Sequence, residues 1–160
     1  MDVVMKLPLP VLRYLQRRAA RLMQAPPAKT IGERYLTRWH VIPKNRLFNL
    51  YLHHVQADDP DTHLHDHPWL FNLSVVLRGS IDETMPSGHR LLQEGSVTAR
   101  MSRAPHRLAL QSADSLTLFI TGPKVRHWGF YTEAGWIDSR EYLAADGNGR
   151  HVSESFSTER

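Results

Sequence analysis

The chain has 160 residues, 41% of them apolar and 22% charged, and no cysteine. That is enough chain for one domain to bury its own core, and it excludes a disulfide scaffold and thiolate chemistry. A cysteine-free chain suits a reducing cytoplasm, and no apolar run approaches the roughly 18 residues of a spanning helix. The formal net charge of +4 is unevenly placed: residues 1–46 hold ten Lys/Arg against two acids, whereas the other 114 hold ten against fourteen.

In chain order, "MDVVMKLPLP" is broken by Lys6, Pro8 and Pro10 and lacks the charge order of a signal peptide. "PVLRYLQRRAARLMQ" then places Val11, Leu12, Leu15, Ala19 and Leu22 at helical spacing with arginines on the other side. This pattern predicts a short amphipathic helix lying on the domain by its apolar stripe, with a basic face toward membrane or phosphate as the alternative. Residues 1–30 are therefore read as a basic helical segment, 31–145 as a β-barrel domain and 146–160 as a polar, Gly-containing tail. From residue 34 the signal is of short strands: "RYLTRWHVI", "RLFNLYLHHV", "WLFNLSVVLRGSIDE", "RLLQEGSVTARM", "HRLALQ", "SLTLFITG", "HWGFYT" and "GWIDSREYL". Each is bounded by Gly, Pro, Ser or Asp, and no helices alternate with them, which predicts an all-β sandwich or barrel.

The chemistry concentrates in "HLHDHPW", residues 63–69. In extended chain, residues i and i+2 project to the same face, so His65 and His67 can reach one ion. Pro60 and Pro68 disfavour a helix through the segment. Imidazole serves Fe, Mn, Ni, Cu and Zn alike, and an isolated H-x-H in a polar loop can also be merely solvated.

Two spacings point further. The first is His65-x-His67-x4-Asn72-x6-Gly79, and the second sets Gly95 eleven positions before His106, with 15 residues between Gly79 and Gly95. Together these resemble the two motifs of the cupin superfamily, H-x-H-x(3,4)-E-x6-G and G-x5-P-x-G-x2-H-x3-N. "YLTRWHVIP", "LHDHPWLFNLSVVLRGSIDE", "HWGF" and "GWI" are similar to small bacterial and phage cupins. The departures are Asn72 for the usual glutamate, Met101 for proline, Arg103 for glycine and Leu110 for asparagine.

The resemblance implies a double-stranded β-helix, or jelly-roll barrel, over roughly residues 35–140. It implies one divalent metal ion per chain in the barrel mouth, iron first, with Mn, Ni or Zn as alternatives, on His65, His67 and His106. Asn72 then becomes a weak fourth ligand or a hydrogen-bonding support. Glu83 is placed to serve as a base or to support a ligand, and His63 is a rim residue or a further support. Trp128 and Tyr131 late in the chain, with Arg103, Arg107 and Arg126, are candidates to bind a small, anionic substrate. A homodimer formed by exchange of edge strands is what the resemblance implies for assembly.

Other chemistries lack their signatures. There is no H-E-x-x-H, no P-loop, no G-x-G-x-x-G and no G-x-S-x-G, and no histidine is followed two positions later by Asp or Glu. Nucleic acid is disfavoured as a partner, since the basic segment carries no nucleic-acid motif. Three functions stay open: a dioxygenase-like metalloenzyme, a non-catalytic cupin that binds or senses a small molecule, and a polyanion-binding protein acting through its N-terminus.

Overall fold

The computed structural model describes residues 4–32 and 35–145; the expected tail, 146–160, lies outside the described residues. Its strands are β1 (Met5–Lys6), β2 (Lys29–Ile31), β3 (Leu36–His40), β4 (Asn49–Val55), β5 (Leu64–His65), β6 (Phe71–Arg78), β7 (Ser80–Met85), β8 (Gly88–Gln93), β9 (Ser96–Met101), β10 (Arg107–Leu110), β11 (Ser115–Thr121), β12 (Gly129–Thr132) and β13 (Gly135–Asp138). Helices α1 (Leu9–Leu22) and α2 (Ser139–Ala145) flank the barrel strands. Every strand pairing is antiparallel. A seven-stranded sheet, β1-β9-β6-β11-β4-β3-β2, faces two three-stranded sheets, β10-β7-β8 and β13-β12-β5.

Strand alternation divides the large sheet into two chemically different faces. One carries Trp39, Leu52, Val75, Leu77 and Leu116, and α1 lays Leu12 and Ala19 into it, with Leu15 and Leu22 beside them. Full burial of a leucine is worth about 1.5–3 kcal/mol, so this stripe holds the helix without help from a side-chain cap, which α1 lacks. The arginines Arg13, Arg17 and Arg18 lie on the opposite side of the helix from Leu12 and Ala19, and all three are exposed. The other face of the sheet carries Arg38, His53, Asn72, Thr98, Arg100 and Thr117, all buried. A polar interior of this kind is costly unless its groups meet one another or a ligand.

The strand-only reading of "GWIDSREYL" misses α2. Asp138 Oδ1 accepts from the Arg140 backbone N–H at 2.9 Å, a side-chain cap that starts a helix, and Leu143 is buried beneath it. Among the described residues no helix is long and apolar enough to cross a membrane.

The turn from β6 to β7 determines how the second sheet swings over the first. Gly79 adopts φ +80°, and a Cβ there would lie 2.2 Å from the Asp114 carbonyl oxygen and 2.7 Å from Ser112 Oγ. Both the left-handed backbone and the close approach require glycine. Gly79→Ala is expected to lower stability by about 2–4 kcal/mol. Urea denaturation checks this, and a loss below about 1 kcal/mol would show that the 111–114 loop yields instead.

Candidate metal centre

Three histidines from different parts of the chain converge at one end of the barrel interior. His65 ends β5 and forms a reciprocal backbone bridge with His106, each N–H donating to the other's carbonyl at 2.9 Å. His67 follows outside the strand, its N–H donating to the Ser102 carbonyl at 3.1 Å. The His65 and His67 rings stand edge to face, 5.2 Å apart between centroids. One ligand atom from each of His65, His67 and His106 lies within 4.8 Å of the others. Nε2 of His67 and Nε2 of His106 are 2.8 Å apart.

His67 and His106 are buried, and burial pushes both imidazoles well below the ordinary histidine pKa. For His106 the Arg100 guanidinium adds to this, and for His67 the His106 and His65 rings do. Desolvation penalises the imidazolium, so the rings present nitrogen lone pairs near neutrality. His67 stacks on Trp69 at 5.6 Å, which fixes its ring plane.

Behind His106 lies a fully buried carboxylate. The His106 Nδ1–H donates to Glu83 Oε1 at 2.7 Å, which directs Nε2 toward His67. Glu83 also pairs with Arg100 and, at 2.7 Å, with Arg90 Nε. β7 thus contributes Glu83 opposite Arg90 on β8, a registered cross-strand pair.

Asn72 is fully buried on β6, opposite Arg100 in the β6–β9 ladder. Its Oδ1 accepts only a long contact from Arg100 Nη1, at 3.5 Å, and its Nδ2 meets no hydrogen-bond partner among the described residues. The amide therefore sits beside the Glu83 network without completing it.

The other candidate residues fall into two groups. Trp128 lines the mouth beside the imidazoles, together with Tyr35, Asp59 and Phe130. His63 points away to α2, where its Nδ1 lies 2.8 Å from Tyr142 Oη. Arg126 and Tyr131 both contact Asp66 rather than the cavity. Arg107 donates to the Asp61 carbonyl at 2.7 Å, and Arg103 is exposed. None of Arg103, Arg107, Arg126 and Tyr131 is brought to the cavity wall.

The cavity beside the imidazoles offers about 90 Å³ to the centres of water-sized molecules, room for several heavy atoms. Its cationic side chains are Arg38 and Arg100, and its walls include Trp69, Phe119, Val55, Val76 and Leu108. Sequence reading missed Arg38 and His53. Only their alternation with outward Trp39 and Leu52 is readable along the chain; the register that sets Arg38 opposite His53 exists only in the folded sheet.

The antiparallel jelly-roll topology with its polar barrel interior is the cupin fold. Compared by sequence, the chain matches no protein-family model and no curated protein. Compared by structure, it is similar to KdgF from a Halomonas species, with TM-score 0.53 at 16% identity over 64% of this chain and 90% of that one. TT1209 from Thermus thermophilus superposes with TM-score 0.51 at 19% identity over 66% of this chain and 94% of that one. A mutant of the oxalate decarboxylase OxdC of Bacillus subtilis gives TM-score 0.51 at 17% identity, over 78% of this chain but 32% of that one.

Asp66 sits between the two motif histidines and faces the other way. It is fully buried and receives the Gly129 N–H at 2.8 Å, Trp136 Nε1–H at 3.1 Å and the Arg126 guanidinium. It thereby ties β5 to the β12–β13 hairpin. Asp66→Asn removes a buried charge partner of Arg126 and is expected to cost about 3 kcal/mol of stability. Chemical denaturation followed by tryptophan fluorescence would measure it, with Trp136 reporting locally.

Proposed function

We propose that this protein is a mononuclear metalloenzyme in which His65, His67 and His106 hold one divalent ion, iron in the first instance. The reaction proposed is a dioxygenase-like oxidation of a small, anionic substrate bound in the adjoining cavity. The observation that carries this reading is the convergence of three imidazoles, within 4.8 Å, at the end of a buried cavity. The donor set fits such an ion: nitrogen ligands only, one held from behind by a carboxylate, and no cysteine to select a softer metal.

When bound, an iron ion would supply Lewis-acid polarisation and a site for oxygen chemistry. The chain's own residues do the rest. Glu83 keeps the His106 proton on Nδ1 and so leaves Nε2 free to ligate. Trp69 and Phe119 form a water-excluding wall, their rings edge to face and 5.6 Å apart. With Asn72 in place of the carboxylate ligand of the cupin motif, a bound ion would have fewer ligands from the chain, leaving room beside it for substrate. The structurally similar oxalate decarboxylase of Bacillus subtilis has Mn(II) centres, which supports metal binding by this fold and makes manganese the second metal to try.

Elemental analysis of protein made without a His-tag tests the reading. About one equivalent of metal is expected in the wild type and little in His106→Ala. Glu83→Gln should weaken ion affinity about 10–100-fold with the ligands intact, as loss of a ligand's supporting carboxylate does elsewhere. Oxygen uptake on a panel of small carboxylic acids follows for the metal-loaded protein. Failure to take up Fe(II), Mn(II), Ni(II) or Zn(II) would overturn the metal reading; metal without turnover would make the protein a binder or sensor.

A further inference from the structure

A second, wider cleft opens beside Trp69, the one residue it shares with the wall of the imidazole cavity. It offers about 520 Å³ to the centres of water-sized molecules, and Lys44, Asn45, Arg46, Asn49 and Lys124 line it, with no carboxylate on its wall. Arg46 and Lys124 are exposed, and among the described residues their side chains make no hydrogen bond or ion pair. Lys44 holds an interaction of its own, so the unpaired cations of the cleft are Arg46 and Lys124. Both are presented from braced backbone. Arg46 sits in the β3–β4 connection, where Asn45 Oδ1 accepts the Leu47 and Phe48 N–H groups at 2.9 and 3.0 Å. The buried Asn49 clamps the same turn, its Oδ1 accepting the Asn45 N–H at 3.0 Å and its Nδ2 donating to the Asn45 carbonyl at 2.9 Å. Lys124 pairs with Trp69 in a backbone bridge, and the Val125 N–H donates to the Pro68 carbonyl at 2.9 Å.

We propose that this cleft is a binding site for a small, soluble phosphate monoester, its phosphate held between Arg46 and Lys124. Like charges gathered on a concave wall without a counter-charge focus a positive potential there, which an anion relieves. Two cations from separate connections can satisfy more than the single charge of a carboxylate. A phosphate monoester carries about −1.5 to −2 near neutrality and offers three acceptor oxygens, two of which a guanidinium engages at once. The volume is that of a small-molecule site, so an organic body fits beside the phosphate. The cations line a concavity rather than a flat face, which favours such a ligand over a lipid surface. Trp69 also stacks on His67 at 5.6 Å, so a ligand here lies against the residue that fixes that imidazole's plane. The site is independent of whether the imidazoles hold a metal.

Phenyl phosphate, with benzoate as a monoanion of similar body, tests the site by calorimetry on the full chain at neutral pH. Wild-type protein should bind phenyl phosphate about tenfold more tightly than benzoate. Arg46→Gln and Lys124→Gln should each weaken phenyl phosphate about five- to tenfold, the scale of one charge-assisted contact, with circular dichroism unchanged because both side chains are exposed. Arg18→Gln, which removes an exposed charge from α1, should leave the affinity within about twofold, and so should treatment with a chelator. No binding at millimolar concentration, equal affinity for the two probes, or binding unchanged in both cleft variants would overturn the assignment. So would an equal loss in Arg18→Gln, which would make the attraction a matter of net charge alone. Binding that disappears with the chelator would overturn it too, since that places the phosphate on an ion held by the imidazoles. Sedimentation of the protein with phosphatidic acid vesicles, without binding of phenyl phosphate, would give the surface to a membrane and defeat the soluble-ligand site.

Discussion

Glu83 is fully buried and must be met by opposite charge wherever the barrel closes. An isolated carboxylate in such a place would cost several kcal/mol, and it is tolerated only because three donors surround it. Arg90 comes from the neighbouring strand, Arg100 from the large sheet and His106 from the loop that crosses between them. One carboxylate therefore joins the small β10-β7-β8 sheet to the seven-stranded one. It also sets the ring orientation of His106, and through it the position where three imidazoles meet. Packing alone could hold two sheets together, but it would not choose a tautomer.

The same carboxylate accounts for the departure at Asn72. In the cupin motif that residues 65–79 resemble, a glutamate stands at that position. Here Arg100 lies directly opposite Asn72, and its guanidinium is turned to Glu83. A second carboxylate at position 72 would compete with Glu83 for one cation. The amide is neutral and removes that competition, while the negative charge stays behind the ligands rather than among them.

Much of this was legible in the sequence, and the boundary of legibility has a physical basis. Strand alternation is a local signal, so it located the strands and the shared face of His65 and His67. The glycine at position 79 was readable because a spacing rule and a backbone requirement coincide there. Asn72 and His106 were reached only through the family resemblance. Arg38 and His53 were not reached, because their significance lies in which strands are neighbours, and β3, β4 and β11 become neighbours only in the folded sheet. The arginines chosen near His106 were misleading for the converse reason. Arg103 and Arg107 lie within three residues of His106 in sequence, but one faces solvent and the other is spent on the Asp61 carbonyl. Helix α2 was missed because a single capping aspartate outweighed a strand-like composition over a short segment.

Where the charge lies also bears on which part of the molecule acts. The excess of arginine near the N-terminus looked suited to a polyanion, and an amphipathic helix needs its apolar stripe free to enter a membrane surface. In α1 that stripe is already used: Leu12 and Ala19 are buried against Trp39, Leu52 and Val75 of the large sheet. What α1 presents outward is a basic face with Leu9, Val11 and Tyr14 exposed among its arginines. Inside the barrel the opposite holds. Arg38, Arg100, His53, His67 and His106 are buried around one cavity, with His65 half-buried beside them, and charge there acts in a medium of lower dielectric than at the surface.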